Sequence, residues 1–209
     1  MLRKQRIPAF AGIRHAAGLA LSIRDLANRC KDLYQRKEIS LLTSFDERFD
    51  VLWDSLRQRR NRLFALRTSE ALTWQFRQDL EYGNIVILAV IEGDSLSGYL
   101  IMRRYDHEQY GLRRFRVVDI QAIGDESDTV LSLMSAALEH AVRSGVDVVE
   151  AMGFNRSKHD LLELLHPHHR ALPSSPYLYR VSDNSRLLEH ELQDADFWDP
   201  SPFDGDAAL

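Results

Sequence analysis

Short apolar runs alternate with longer amphipathic stretches along the chain, and this alternation predicts a mixture of strands and helices. Three consecutive runs have strand length and are separated by turn-forming residues: "NIVILAVIE" at 84–92, "LSGYLIMRRY" at 96–105 and "RRFRVVDIQAI" at 114–123. The turn sequence "GDS" at 93–95 predicts that the first two runs form a hairpin. Three further strands are predicted near Thr43, in "VDVVEAMGF" and in "YLYRVS".

Helical spacing of apolar residues appears between these strands. Four apolar side chains follow the i, i+3, i+4, i+7 pattern of an amphipathic helix, with Ser44 as its expected N-cap. They are Phe49, Leu52, Trp53 and Leu56. A second helix, containing "EALTWQFRQDL", is predicted to begin at Thr68 or Ser69. The stretch "SDTVLSLMSAALEHAVRSG" has a broad apolar face and ends at Gly145, a natural C-terminal residue, and "SKHDLLELL" predicts a last short helix.

The predicted order is β, α, α, β, β, β, α, β, α, β. An antiparallel meander that feeds a helical crossover places the next strand parallel to the last strand of the meander. We therefore expect an α/β (α+β) fold, with a mixed, mostly antiparallel central sheet flanked by helices on both faces. Residues 38–182 are expected to form this domain, preceded by a helical appendage or connector at 1–37 and followed by an acidic tail at 183–209.

Composition and charge narrow the function classes. Hydrophobic residues make up 44% of the 209 residues and charged residues 28%, and the net charge of −4 gives no reason to expect DNA binding. The longest apolar run, "IVILAVI" at 85–91, is far shorter than the roughly 20 residues of a membrane span, so a cytoplasmic protein is expected. A single cysteine, Cys30, and a histidine group without carboxylates at ligand spacing predict no metal site.

The turn "DIQAIGDESDTVLSLM" at 119–134 joins a strand to the start of the long helix. Such a helix start favours an anion, because its unpaired N–H groups and the helix dipole both point at it. Here Asp125, Glu126 and Asp128 surround the single glycine, Gly124. The turn therefore has two interpretations. It cradles an anionic ligand, or it closes its own helix with Ser127 or the carboxylate of Asp128 as N-cap.

The order and length of the elements over residues 38–182 resemble those of the GNAT N-acyltransferase superfamily. Asn155 follows the fifth strand, where that superfamily often places an Asn that contacts the acyl-CoA donor. Five stretches are similar to the C-terminal module of a bacterial group of two-module GNAT-like proteins. They are "FDERFDVLWDSL", "WQFR", "GYLIMR", "VVDI" and "FWDPSPFDGD". This likeness implies that residues 1–37 derive from a connector.

The resemblance implies transfer of an acyl group from acyl-CoA to an amine of a small molecule, saccharide or peptide. In this superfamily the donor lies where the fourth and fifth strands separate, with its pyrophosphate at the start of the following helix. The residues implied as donor contacts are Gln121, Ile123, Gly124, Ser127, Asp128, Thr129 and Asn155. The turn departs from the superfamily's pattern, because it has one glycine, no basic residue and three carboxylates.

A direct transfer needs a base for the amine and an acid for the departing thiolate. Asp119 is the expected base, because an acid flanked by apolar residues indicates a raised pKa or a buried partner. The alternative is a structural hydrogen bond to a turn or to an Arg. Tyr179 on the last strand is the expected acid, since Leu162 stands where the superfamily's usual Tyr would fall.

Two further functions remain open. A Fem-like transferase, related to cell-wall or polysaccharide synthesis, would use a donor other than CoA and would not need a glycine-rich loop. A non-catalytic GNAT-like module would pair with an active module in a longer chain or with a second copy of itself. The run "LRQRRNRLFALR" contains five arginines, Arg57, Arg59, Arg60, Arg62 and Arg67. They either meet an acidic substrate, a lipid headgroup or a polyanionic saccharide, or form a solvated helix end.

Overall fold

The central element is a mixed sheet with the strand order β1-β2-β3-β4-β5. The computed structural model describes residues 34–58, 62–168, 180 and 189–204. The strands are β1 (Ser40–Leu42), β2 (Ile85–Glu92), β3 (Ser95–Arg104), β4 (Arg114–Ala122) and β5 (Val148–Ala151). Strands β1 to β4 pair antiparallel in sequence order, and β5 pairs parallel to β4.

Helices cover both faces of this sheet, so the expected fold class is confirmed. They are α1 (Glu47–Arg57), α2 (Ser69–Gln75), α3 (Arg77–Tyr82), α4 (Ser127–Arg143), α5 (Arg156–Glu163) and α6 (Glu189–Gln193). Single 3₁₀ turns lie at Glu108–Tyr110, Ile123–Asp125, Ala195–Phe197 and Pro202–Asp204. None of the helices in the described part of the chain has the length and apolar character that crossing a membrane requires.

Several local expectations change in the structure. Asp46, not Ser44, caps α1, because its carboxylate accepts the N–H of Arg48. The helix predicted from Thr68 begins with that residue as N-cap, but it is two helices that meet at Phe76, whose backbone leaves the helical region. Glu126 precedes α4 in place of the expected Ser127 or Asp128. The predicted last strand in 177–182 falls outside the described residues, apart from Arg180.

Alternation along the strands builds two apolar layers. Leu100, Val117 and Ile120 face α4, where they pack in one cluster with residues such as Leu133. Residues on the opposite face, including Ile101, pack with apolar side chains of α1 and α2. The alternation is interrupted in β4, because Met102 pairs with Val117 and Ile101 pairs with Asp119. Val118 is therefore an extra residue, a β-bulge of the kind that bends a strand.

Strands β4 and β5 remain paired over only part of their length. Their ladder runs from Arg114 opposite Val148 to Val117 opposite Ala151. Strand β4 continues to Ala122, whereas β5 ends and the chain turns at Gly153, whose φ is +76°. A gap therefore opens between the second half of β4 and the start of α5. We call it the β4–β5 gap, bounded by residues 118–122 and 152–158.

Residues 198–204 of the predicted acidic tail pack against this domain; we call them the C-terminal segment. Trp198 forms a parallel bridge with Leu63, and the Asp199 N–H donates to the carbonyl of Leu63 at 2.9 Å. The ring of Phe203 lies 5.9 Å from that of Phe76 in the apolar layer under α1 and α2. The segment thus contributes to the core.

Gly98 sets the close approach of β3 to the start of α4. A methyl group added there would lie 2.5 Å from Cγ2 of Thr129 and 2.9 Å from the carbonyl oxygen of Gln121. We expect Gly98→Ala to lower the free energy of unfolding by about 1–3 kcal/mol, because this contact cannot open without moving the helix. Chemical denaturation measures the change. Ser95→Ala, at the exposed end of the same strand, is the control and should stay within about 0.5 kcal/mol. Equal stability of the two variants would contradict the close contact.

Candidate functional site

A buried ion pair between Arg67 and Asp119 lies at the edge of the β4–β5 gap. Arg67 precedes α2, and its Nε donates to Oδ2 of Asp119 at 2.8 Å. The hydroxyl of Tyr99 on β3 donates to the same oxygen at 2.6 Å. Both charged side chains are fully enclosed. The bulge in β4 puts Asp119 on the face of the sheet that Tyr99 occupies, so three separate elements meet at one carboxylate.

The environment of Asp119 keeps it ionised. Burial raises its pKa, but the charge of Arg67, the hydrogen bond from Arg67, the charge of Lys158 and the hydrogen bond from Tyr99 outweigh burial, so the pKa is lowered. Burial and the same carboxylate raise the pKa of Tyr99. An acid among apolar residues was expected to have either a raised pKa or a buried partner. The structure shows the buried partner, Arg67, and the pKa of Asp119 is lowered. In this conformation the carboxylate holds Arg67 and Tyr99 and faces no open cleft.

A second buried ion pair, between Lys158 and Asp199, lies on the other side of the gap. The Nζ atom of Lys158 on α5 donates to both carboxylate oxygens of Asp199, at 2.8 and 3.0 Å, and to Oε1 of Gln121 at 3.2 Å. Asn155 makes a hydrogen bond to each residue of this pair. Its Nδ2 donates to Asp199 at 2.8 Å, and its Oδ1 caps α5 by accepting the N–H of Lys158. Gln121 also donates to Asp119 at 3.3 Å, which joins the two ion pairs.

The C-terminal segment supplies a carboxylate to each of the two buried cations, Arg67 and Lys158, and fills the gap. Arg67 Nη2 donates to Oγ of Ser201 at 3.1 Å and to Oδ2 of Asp204 at 3.1 Å. Burial raises the pKa of Asp204, and the neighbouring charge of Asp119 acts in the same direction, against the lowering effect of Arg67. A Cβ built on Gly153 would lie 3.7 Å from the Pro202 ring. The segment therefore runs between the second half of β4 and the start of α5.

Two of the three carboxylates in the turn before α4 form ion pairs. Arg62 pairs with Asp125, and it also donates to Oγ of Ser157 at 3.2 Å. Lys37 pairs with Glu126 at 2.7 Å, and this hydrogen bond lowers the pKa of Glu126. Glu126 makes no side-chain cap with the helix N–H groups. The expected cap by Ser127 or Asp128 is therefore not found, whereas the anion-binding interpretation of the turn stays a prediction. Cations from distant segments neutralise two of its carboxylates.

The structure brings together three of the expected site residues, Asp119, Gln121 and Asn155, in one buried network. Ile123, Gly124 and Ser127 lie exposed at the turn, Asp128 is half-buried, and Thr129 is buried with its hydroxyl donating to Glu126 at 2.7 Å. Tyr179 falls outside the described residues. Among those residues, no group of three or more His, Cys, Asp or Glu side chains is placed to hold a metal ion.

Sequence reasoning missed the residues that complete this network. Arg67 lies in the arginine run, and Asp199 and Asp204 lie in the stretch "FWDPSPFDGD". Both stretches stand out in the sequence, so these three residues had a sequence signal. Lys158 had no signal, since a lysine in a short amphipathic helix is normally solvated. A partner 41 residues away encloses it instead.

Several solved structures to which this chain is similar are acetyltransferases. An aminoglycoside acetyltransferase from an uncultured soil metagenomic sample, solved with sisomicin and with trehalose, matches with a TM-score of 0.50 and 14% identity. The match covers 68% of this chain and 96% of that one. The fold is that of the GNAT acetyltransferases.

Two other acetyltransferases match less closely. Glucosamine-6-phosphate N-acetyltransferase from Arabidopsis thaliana matches with a TM-score of 0.49 and 10% identity, covering 68% of this chain and 100% of its own. A ribosomal-protein-alanine N-acetyltransferase from Brucella melitensis biovar Abortus 2308 gives 0.47 and 18%, covering 70% of this chain and 100% of its own. No protein-family profile and no curated protein matches the sequence. At these identities the likeness shows the fold alone.

The buried pair between Arg67 and Asp119 is expected to contribute strongly to the stability of the fold. We expect Asp119→Asn to lower the free energy of unfolding by about 3–5 kcal/mol, because the buried guanidinium of Arg67 would keep its charge while losing one of the two carboxylates that pair with it. Urea denaturation followed by circular dichroism measures the loss. Asp54→Asn removes a carboxylate from an exposed pair with Arg57 and should cost at most about 1 kcal/mol. Similar losses in the two variants would show that the buried pair contributes little.

The lowered pKa of Asp119 sets the direction of a pH effect. A group whose pKa is lower in the folded state stabilises the fold above its ordinary pKa, and the contribution disappears as the pH falls through the lowered value. We therefore expect the stability difference between the wild type and Asp119→Asn not to shrink as the pH falls from about 8 to 5, and to shrink only below about pH 3.9. The raised pKa of Asp204 acts in the opposite direction, because its titration relieves repulsion from Asp119 only in the wild type. Denaturation of both proteins across this range measures it. A difference that already shrinks near pH 6 would indicate a raised pKa instead.

Proposed function

We propose that this chain is a GNAT-type acyltransferase module that transfers an acyl group to an amine. The observation that carries the proposal is the β4–β5 gap: the ladder stops at Val117 opposite Ala151 while β4 continues. Helix α4 begins directly beyond the end of β4, so a helix N-terminus lies beside the gap. This arrangement supports a bound acyl donor with its anionic part at the helix start.

Acyl-CoA does not fit the conformation described here. The C-terminal segment occupies the gap, and Asp199 and Asp204 already hold the cations Lys158 and Arg67. We propose that the donor enters only after this segment withdraws, with contacts from the turn and from Asn155. The turn residues are Gln121, Ile123, Gly124, Ser127, Asp128 and Thr129. Asp119 then positions Arg67, and the assignment of Tyr179 as the acid stays a prediction.

A second candidate is a GNAT-like module that binds no CoA. The enclosure of Lys158 and Arg67 by the C-terminal segment favours it, because their side chains are fully buried and satisfied. Such a module would work from another donor, as a Fem-like transferase does, or pair with a second GNAT-like module. It would need no open β4–β5 gap.

Donor binding separates the two candidates. We expect calorimetry with the full chain to detect CoA and acetyl-CoA at millimolar concentrations. A charge added by Ser127→Glu at the exposed start of α4 should weaken CoA binding about tenfold through repulsion of the pyrophosphate. Ser95→Glu, exposed on the far end of β3, is the control and should bind as the wild type does.

Activity is tested with amine acceptors of three kinds: an aminoglycoside, an amino sugar and a peptide N-terminus. We expect thiol release from acetyl-CoA that depends on the amine. The double variant Asp199→Asn, Asp204→Asn loosens the C-terminal segment. If neither this variant nor the wild type bound CoA at millimolar concentration, CoA would be ruled out as the donor.

A further inference from the structure

We propose that the C-terminal segment is a built-in competitor of the donor, whose withdrawal from the β4–β5 gap opens a cationic cleft for a phosphate-bearing ligand. The identity of that ligand as CoA rests on the proposed function; the competition itself does not. The segment comprises residues 198–204, and it runs from its bridge with Leu63 to the 3₁₀ turn Pro202–Asp204.

The C-terminal segment is anchored on both sides of the β4–β5 gap. Asp199 contacts Lys158 and Asn155 on the α5 side of the gap, while Ser201 and Asp204 contact Arg67, which is bound to Asp119 on the β4 side. Between these anchors, Pro202 lies against Gly153 at the turn where β5 has ended. A ligand cannot lie along the second half of β4 while the segment is there.

The carboxylates of the C-terminal segment balance the positive charge around the gap. Three cations line this region, namely Arg62, Arg67 and Lys158, with Arg62 Nη1 at 3.9 Å from Asp199 Oδ2. Four carboxylates face them, and two belong to the C-terminal segment: Asp199 and Asp204. Withdrawal leaves three cations facing only Asp119 and Asp125. Guanidinium and ammonium groups in such a cleft bind phosphate oxygens, so the two segment carboxylates stand where an anionic ligand would bind.

Withdrawal of the segment would leave each buried cation with a hydrogen-bond partner from the rest of the domain. Arg67 keeps its hydrogen bonds to Asp119 and to the carbonyl of Ala65, and Lys158 keeps its hydrogen bond to Gln121. The segment adds no strand to the sheet, since its bridge with Leu63 is an isolated one. Withdrawal therefore breaks side-chain anchors, apolar contacts and the backbone hydrogen bond from Asp199 to Leu63, but no strand ladder.

The test compares two double variants that each remove two negative charges. Asp199→Asn, Asp204→Asn weakens both anchors of the segment. Asp194→Asn, Asp196→Asn removes two exposed carboxylates just before it, where the hydrogen bond between them is local. Calorimetry with CoA and with inorganic pyrophosphate is expected to show at least tenfold tighter binding of both ligands to the first variant. The second variant should stay within twofold of the wild type.

Hydrogen exchange provides a measurement that needs no variant. Saturating CoA should speed the exchange of the backbone amides in residues 198–204 of the wild type, because the ligand displaces the segment. Slower or unchanged exchange in that segment on CoA binding would overturn the proposal. This readout stands even if the Asp199→Asn, Asp204→Asn variant fails to fold.

The outcomes distinguish this inference from the proposed function. Equal CoA affinity in the wild type and both variants would overturn the competition and leave the acyltransferase proposal standing. Binding of pyrophosphate but not of CoA by the loosened variant would support the cationic cleft and remove CoA as the donor. If the loosened variant is folded, exchanges rapidly in residues 198–204 and binds neither ligand, both proposals fail.

Discussion

The ion pair between Arg67 and Asp119 is the constraint on which the rest of this structure depends. Two opposite charges without solvent contact persist only where every remaining donor and acceptor is satisfied. One unpaired member would cost about 3–5 kcal/mol, a large share of the roughly 5–15 kcal/mol that stabilises a typical domain. Tyr99, Ala65 and the C-terminal segment each supply part of that satisfaction. The segment is therefore tied to the centre of the sheet by electrostatics as well as by packing.

Charge balance also explains how the turn before α4 accommodates three carboxylates at a helix start. Near such a start a carboxylate interacts favourably with the helix dipole, and the same carboxylate repels a phosphate. Arg62 and Lys37 each neutralise one of these groups. The net field at the turn is thus set by residues more than 60 positions away in the chain. A local motif with the wrong charge is no sufficient argument against an anionic ligand.

The sequence predicted the elements whose signal is local. The three central strands and α4 agree with their expected ranges to within one residue at most ends, because period-2 and period-3.6 patterns belong to single segments. The network could not be predicted in the same way. Arg67 and Asp119 are 52 positions apart, and one sequence carries no information about which charges pair. The cap at Asp46 was missed because Ser44 and Asp46 are both good caps, and only the chain direction at α1 decides between them.

The cations that hold the C-terminal segment do not depend on it for all of their hydrogen bonds. Lys158 also binds Gln121, and Arg67 also binds Asp119 and Ala65. Withdrawal would expose these cations to water or to a ligand with part of their hydrogen bonding already in place. That pre-organisation lowers the free-energy cost of replacing the carboxylates of the segment with the anionic groups of a ligand.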